Sequence, residues 1–116
     1  MNLGEFGERE AEKLLKKKGY KILARNYKIT SGEIDIVASK KGVCAFVEVK
    51  TRSSLYAGRP SLAVTTVKQK RIISAAKNYI FKNKISDQPR FDVIEILVDL
   101  KTEKIREIVH IENAFC

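Results

Sequence analysis

The chain has no tryptophan, one histidine, two prolines and two cysteines in 116 residues. Each shortage removes a class of explanation. Cys44 and Cys116 have no CxxC spacing and give neither a disulfide framework nor a zinc cage. Cys44 falls inside an apolar strand, where a buried thiol packs as a small hydrophobe. His110 has no partner at a useful spacing and reads as a structural or exposed side chain. No apolar run approaches the roughly 20 residues of a membrane span, and no basic helix carries the bulky aromatic face of a membrane-surface binder. Met1–Glu5 lacks the basic and apolar regions of a signal peptide, so a cytoplasmic protein with no membrane partner is expected. With no repeat, low-complexity tract or Pro/Ser-rich linker, residues 1–116 read as a single domain. Its 44% hydrophobic content suffices for one core without disulfides.

Acid is the scarcer charge. Fourteen Asp and Glu stand against 23 Lys and Arg, a formal net charge of +9 and an isoelectric point near 9.7. That balance favours nucleic acid, an anionic membrane or an acidic partner, with the membrane last because no basic helix carries a bulky aromatic face. Small proteins are also basic for solubility alone, so charge by itself does not decide.

Hydrophobic periodicity predicts a helix over residues 3–18 stopped by Gly19, a strand over 20–27, a turn at Thr30-Ser31-Gly32 and a strand over 33–39. A hairpin turn at Lys40-Lys41-Gly42 leads to an apolar, central strand over 43–52. A loop over 53–60 precedes a helix over 65–82, whose apolar face is Val67, Ile72, Ala75, Ala76, Tyr79 and Ile80. Strands over 91–100 and 105–111 complete the order. A helix between runs of strands implies a mixed α/β sheet with a crossover.

The scarce acids recur on the two strands that flank the Lys40–Gly42 turn. Side chains alternate across a strand. Glu33 and Asp35 are thus expected on one face with Ile34 and Ile36 on the other, and Phe46, Glu48 and Lys50 together opposite Val47 and Val49. A hairpin there makes Asp35 and Glu48 neighbours. Two bare carboxylates ~4 Å apart repel by about 4 kcal/mol at an effective dielectric near ~20. Such a pair persists only with a proton, a basic side chain or a metal to neutralise it. Mg²⁺ takes one or two carboxylates and completes its shell with water and phosphate, and a lysine beside it can orient the attacking water. The bland alternative is a solvated ion-pair set on a strand face. Lys68, Gln69 and Arg71 open the second helix, where they could grip phosphate at its N-terminus. A solvated basic face is an equal alternative there. Glu5, Glu8 and Glu12 share one face of the first helix, and their spacing alone gives only an acidic, solvated stripe.

Gly4-x-x-Gly7-Glu8, Gly19-Tyr20, Arg25-Asn26, Gly32-Glu33-Ile34-Asp35, Phe46-Val47-Glu48-Val49-Lys50-Thr51-Arg52 and Arg90-Phe91-Asp92-Val93 follow in the order and spacing of the YraN family, which the chain resembles over nearly its whole length. The resemblance implies an α/β fold, a single restriction-endonuclease-like domain with a mixed central sheet of about five strands flanked by helices. It also implies membership of the PD-(D/E)xK nuclease superfamily, on the side of the Holliday-junction resolvases. Carried onto this chain, it makes Asp35, Glu48 and the Val49 carbonyl metal ligands. Lys50 becomes the motif lysine and Glu8 the helix glutamate. Arg52, Ser53 and Ser54, at the substrate-facing loop, join Lys68, Gln69 and Arg71 as nucleic-acid contacts. Ile34 replaces the proline of the superfamily's name, and Tyr56-Ala57-Gly58 stands where Phe-Gly is more usual. The implied activity is Mg²⁺-dependent (Mn²⁺ as an alternative) hydrolysis of DNA phosphodiesters, with branched DNA and a homodimer as candidate substrate and assembly. A catalytically silent nucleic-acid-binding module and a protein-binding adaptor are the competing readings.

Overall fold

Period-two alternation dominates the middle of the chain, and a computed structural model, describing residues 2–53 and 64–115, builds it into one five-stranded sheet. Helix α1 (Leu3–Lys17) leads to β1 (Lys21–Ile29), β2 (Gly32–Lys40) and β3 (Val43–Ser53). Helix α2 (Thr66–Asn83) is followed by β4 (Gln88–Asp99) and β5 (Lys104–Phe115). The spatial order equals the sequence order. Neighbours pair antiparallel except β3 and β4, which α2 joins as a parallel pair. Helix α1 starts at Asn2, whose Oδ1 accepts from the Glu5 N–H at 3.0 Å. The β2–β3 turn is Lys41-Gly42, both at positive φ (46° and 79°), the type I′ geometry whose twist matches the strands it joins.

The sheet has a helix on each face and so two apolar layers. Under α1, Ala11 and Leu15 pack on Ile36, Ala45, Val47, Ile94 and Ile96. Under α2, Ile72, Ala75 and Tyr79 pack on Ile34, Val37, Cys44, Phe46 and Val93. Phe46 is fully buried, an anchor contributing about 1.5–3 kcal/mol. The sequence places the elements correctly and trims some ends. β4 begins at Gln88, and β5 runs on to Phe115 because its pairing with β4 continues to Phe91↔Phe115. Among the described residues, no helix is long and apolar enough to cross a membrane. Cys44 is a buried, free thiol, and Cys116 lies outside the described residues.

Candidate functional site

The site is made by a split in the sheet. β2 and β3 pair from Lys40↔Val43 to Ile36↔Val47 and no further. Beyond that point β2 stays with β1 as far as Gly32, and β3 stays with β4 as far as Ser53. Asp35 is the first residue past the split. Its Oδ2 accepts a hydrogen bond from the Val49 N–H at 2.8 Å, taking the place of a strand partner. The divergence corrects one expectation. Ile34 and Ile36 do not share a layer: Ile34 packs under α2 and Ile36 under α1, because β2 follows β1 away from β3 between them.

Asp35 and Glu48 do converge. Their side chains face each other at the split, each acid within the other's electrostatic reach. Burial, then the hydrogen bond and charge of Glu48, push the Asp35 carboxyl up to about 8, against the opposing Val49 N–H. Glu48 is 6% exposed. Glu8 arrives from α1. That helix lies directly on β3, since a Cβ on Gly7 would come within 1.8 Å of Thr51 Oγ1. Glu8 lines a cleft of about 470 Å³ with Arg9, Arg25, Asn26 and Asp35. Burial raises its carboxyl pKa, a hydrogen bond with Asn26 opposes this, and the charge of Glu48 adds to the rise.

The α2 side of the site is basic. Glu48 follows Phe46 onto this face, as alternation requires, and its Oε2 meets Lys68 Nζ at 2.7 Å. The bond to Glu48 raises the Lys68 pKa, against burial. Lys50 is half-buried. Burial lowers its pKa, the charge of Glu95 opposes, and Arg52 and Lys68 add to the lowering. Glu95 is the β4 residue in register with Lys50 and is 4% exposed.

Other expected contacts are placed differently. Ser53 is the last residue of β3, paired with Val98 and 7% exposed, because the parallel ladder runs one residue past the expected loop boundary. Lys68 is neither free for phosphate nor a bare solvated charge, given its ion pair. Gln69 Nε2 donates to the Val64 carbonyl at 2.8 Å, which ties it to its own chain. Arg52 is half-buried on β3 and Arg71 exposed on α2. The Arg71 carbonyl lies where a Cβ on Gly32 would come within 1.8 Å, so this glycine lets β2 start against α2. Ser54 and Tyr56-Ala57-Gly58 lie outside the described residues. Two residues escaped the sequence reading. Glu95 carries the same signal as Glu48, an acid inside an apolar central strand. Asn26 sits at φ 49°, a left-handed conformation within a strand that turns its side chain towards Glu8.

A second buried acid lies on β4. Asp92 is 0% exposed. Arg90 donates to it through Nε (2.8 Å) and a terminal nitrogen (2.7 Å), and the Asn113 N–H donates at 3.0 Å. His110 completes the set: Lys18 Nζ donates to Nδ1 at 2.7 Å, which leaves Nε2–H to donate to Asp92 at 2.8 Å. Arg90 also donates to the Tyr20 hydroxyl. Burial alone would raise the Asp92 carboxyl, but the bonds from His110, Arg90 and Asn113 outweigh it and hold it at about 2. His110 is therefore structural, and this network explains the Arg90-Phe91-Asp92-Val93 motif.

Among the described residues, no three His, Cys, Asp or Glu side chains gather as a metal cage. Glu8 thus stands near the acid pair without joining it. Mg²⁺ does not need a cage: it takes one or two carboxylates with water and phosphate supplying the rest, and Asp35 lines the cleft with Glu48 beside it. The residues fit the ion.

The sequence profile described as uncharacterised protein family UPF0102 matches residues 7–96. A UPF0102 protein of Caldanaerobacter subterraneus subsp. tengcongensis is 45% identical over 114 residues, covering 97% of this chain and 93% of the relative. One from Chlorobium phaeobacteroides is 48% identical over 117 residues (97% and 92%). Another from Clostridioides difficile is 47% identical over 113 residues (97% and 95%). The chain belongs to the uncharacterised protein family UPF0102, the YraN-like family to which its motifs point.

Proposed function

We propose that this protein is a metal-dependent nuclease of the PD-(D/E)xK type acting on DNA, with branched DNA as the candidate substrate. The observation that carries the reading is the Asp35–Glu48 pair at the strand split, two neighbouring acids of which Glu48 is paired with Lys68 at 2.7 Å. Asp35, Glu48 and the Val49 carbonyl would hold Mg²⁺ or Mn²⁺. The ion would supply charge neutralisation and polarisation at the scissile phosphate. Lys50 stands two residues from Glu48, and burial loosens its proton. It is suited to orient water and to meet developing charge. Glu8, across the cleft, would steer the outer hydration of the ion. The net charge of +9 supports a polyanionic substrate.

The test is cleavage of single-stranded, duplex and four-way-junction DNA with Mg²⁺ or Mn²⁺. Cleavage of at least one substrate is expected. Asp35→Ala should abolish it while retaining DNA binding, because removing an acid beside phosphate relieves repulsion. The Lys68–Glu48 ion pair favours a second reading, a DNA-binding module whose cation seat is permanently filled by its own lysine. DNA binding without cleavage under every condition would select that reading and overturn the first.

A further inference from the structure

Lys68 occupies an unusual place. It is the third residue of α2, whose cap is Thr65: the Thr65 hydroxyl accepts from the Lys68 N–H at 3.2 Å. The first turn of a helix carries partial positive charge and favours acids. A lysine there is a local misfit. Helix α2 offers no relief, because Thr66–Asn83 contains five basic residues and no acid. The compensating charge comes from β3, where Glu48 Oε2 lies 2.7 Å from the ammonium. Glu48 is nearly buried, with its side chain 7% exposed, whereas that of Lys68 is 52% exposed. The lysine therefore reaches the acid from the solvent side.

We infer that Lys68 is a displaceable counter-ion of the Asp35–Glu48 seat, one that sets its affinity for divalent metal and becomes available to a DNA phosphate only when metal takes the carboxylates. The inference rests on the proposed metal-dependent reading and deepens it. Lys68 holds no reacting atom; it is a positioning residue acting through Glu48. Its two states compete, since an ammonium 2.7 Å from one oxygen of the carboxylate repels a divalent ion held by the same group. Metal binding therefore works against this ion pair, and metal and DNA reinforce each other by linkage.

The experiment is a calorimetric titration of Mn²⁺ into the full chain, its Lys68→Met and Lys68→Arg variants, at fixed ionic strength. DNA affinity is measured in parallel on a duplex oligonucleotide in EDTA. Lys68→Met should bind Mn²⁺ about fivefold more tightly, the worth of one half-exposed ion pair. Lys68→Arg should stay within about twofold of the parent. In EDTA, Lys68→Met should lose no more DNA affinity than Lys77→Met, a control at an exposed position of the same helix. A plain phosphate contact forecasts the reverse: metal affinity unchanged and DNA binding in EDTA weakened. A structural lysine forecasts both weakened. Either result overturns the inference while leaving the metal site standing. Absence of Mn²⁺ binding to all three proteins overturns the inference and the proposed function together. Circular dichroism checks each fold, and Lys68→Gln replaces Lys68→Met if the latter fails to fold.

Discussion

Asp35 and Asp92 are the same side chain on the same sheet, and their surroundings treat them in opposite ways. Asp92 is fully buried and ionised, its carboxyl held at about 2. Asp35 is half-buried, and burial with the neighbouring Glu48 pushes its carboxyl up to about 8. Burial raises both carboxyls. Partners decide: Asp92 receives hydrogen bonds from Arg90, His110 and the Asn113 backbone, whereas Asp35 receives one from Val49 and sits beside the acids Glu48 and Glu8. The satisfied acid joins β4 to β5, and through Lys18 and Tyr20 to the α1 end of the chain. The poorly satisfied one is the acid proposed above as half of a cation seat.

The sharpest way to break this contrast is to remove each acid. Asp92→Ala leaves Arg90 without its buried counter-charge and the His110 Nε2–H without its acceptor, and should cost about 3–5 kcal/mol in urea unfolding. Asp35→Asn, measured without metal, should leave stability unchanged or raise it. Equal losses at the two positions would contradict the contrast. A step smaller is Gly7→Ala. Its Cβ would meet Thr51 Oγ1 at 1.8 Å, so α1 must shift, at about 1–3 kcal/mol. The shift carries Glu8 away from the cleft, and metal affinity should fall with stability. Full stability and full metal affinity in Gly7→Ala would show that the close approach of α1 to β3 does not position the site.

Smaller again, and specific to charge, is the pH dependence. Asp92 has a depressed folded-state pKa, so its contribution is present above the unfolded value near ~4 and is lost as pH falls through about 2. Asp35 has a raised one, so its contribution is full below ~4 and is lost as pH rises through about 8. The Tm of the metal-free protein minus that of Asp35→Asn should therefore decline from pH 5 to pH 9. Saturating Mg²⁺ should flatten the decline. A difference that is constant with pH would place the Asp35 carboxyl in an ordinary environment.

Most of the framework was legible because it rests on local rules. Alternating apolar residues gave the strands, the Lys41-Gly42 turn gave the β2–β3 register, and that register brought Asp35 beside Glu48. What escaped was non-local. Alternation assumes a strand keeps one set of neighbours, and β2 changes company at Asp35, which parts Ile34 from Ile36. Lys68 meets Glu48 because a helix packs across a strand, and no periodicity within either element encodes that. His110 looked solitary because its partners, Lys18 and Asp92, come from α1 and β4. Glu95 was visible in principle, since an acid in an apolar central strand is the signal that marked Glu48.

The claim beneath all of this is that Asp35 and Glu48 form a divalent-cation seat. The most direct measurement is a calorimetric titration of Mn²⁺ into the wild-type protein and Asp35→Asn, with Asp92→Asn as a control for the second acid. One site in the wild type, lost in Asp35→Asn and retained in whatever fraction of Asp92→Asn remains folded, is the expected result. Equal Mn²⁺ binding by wild type and Asp35→Asn, or none by the wild type, would contradict it.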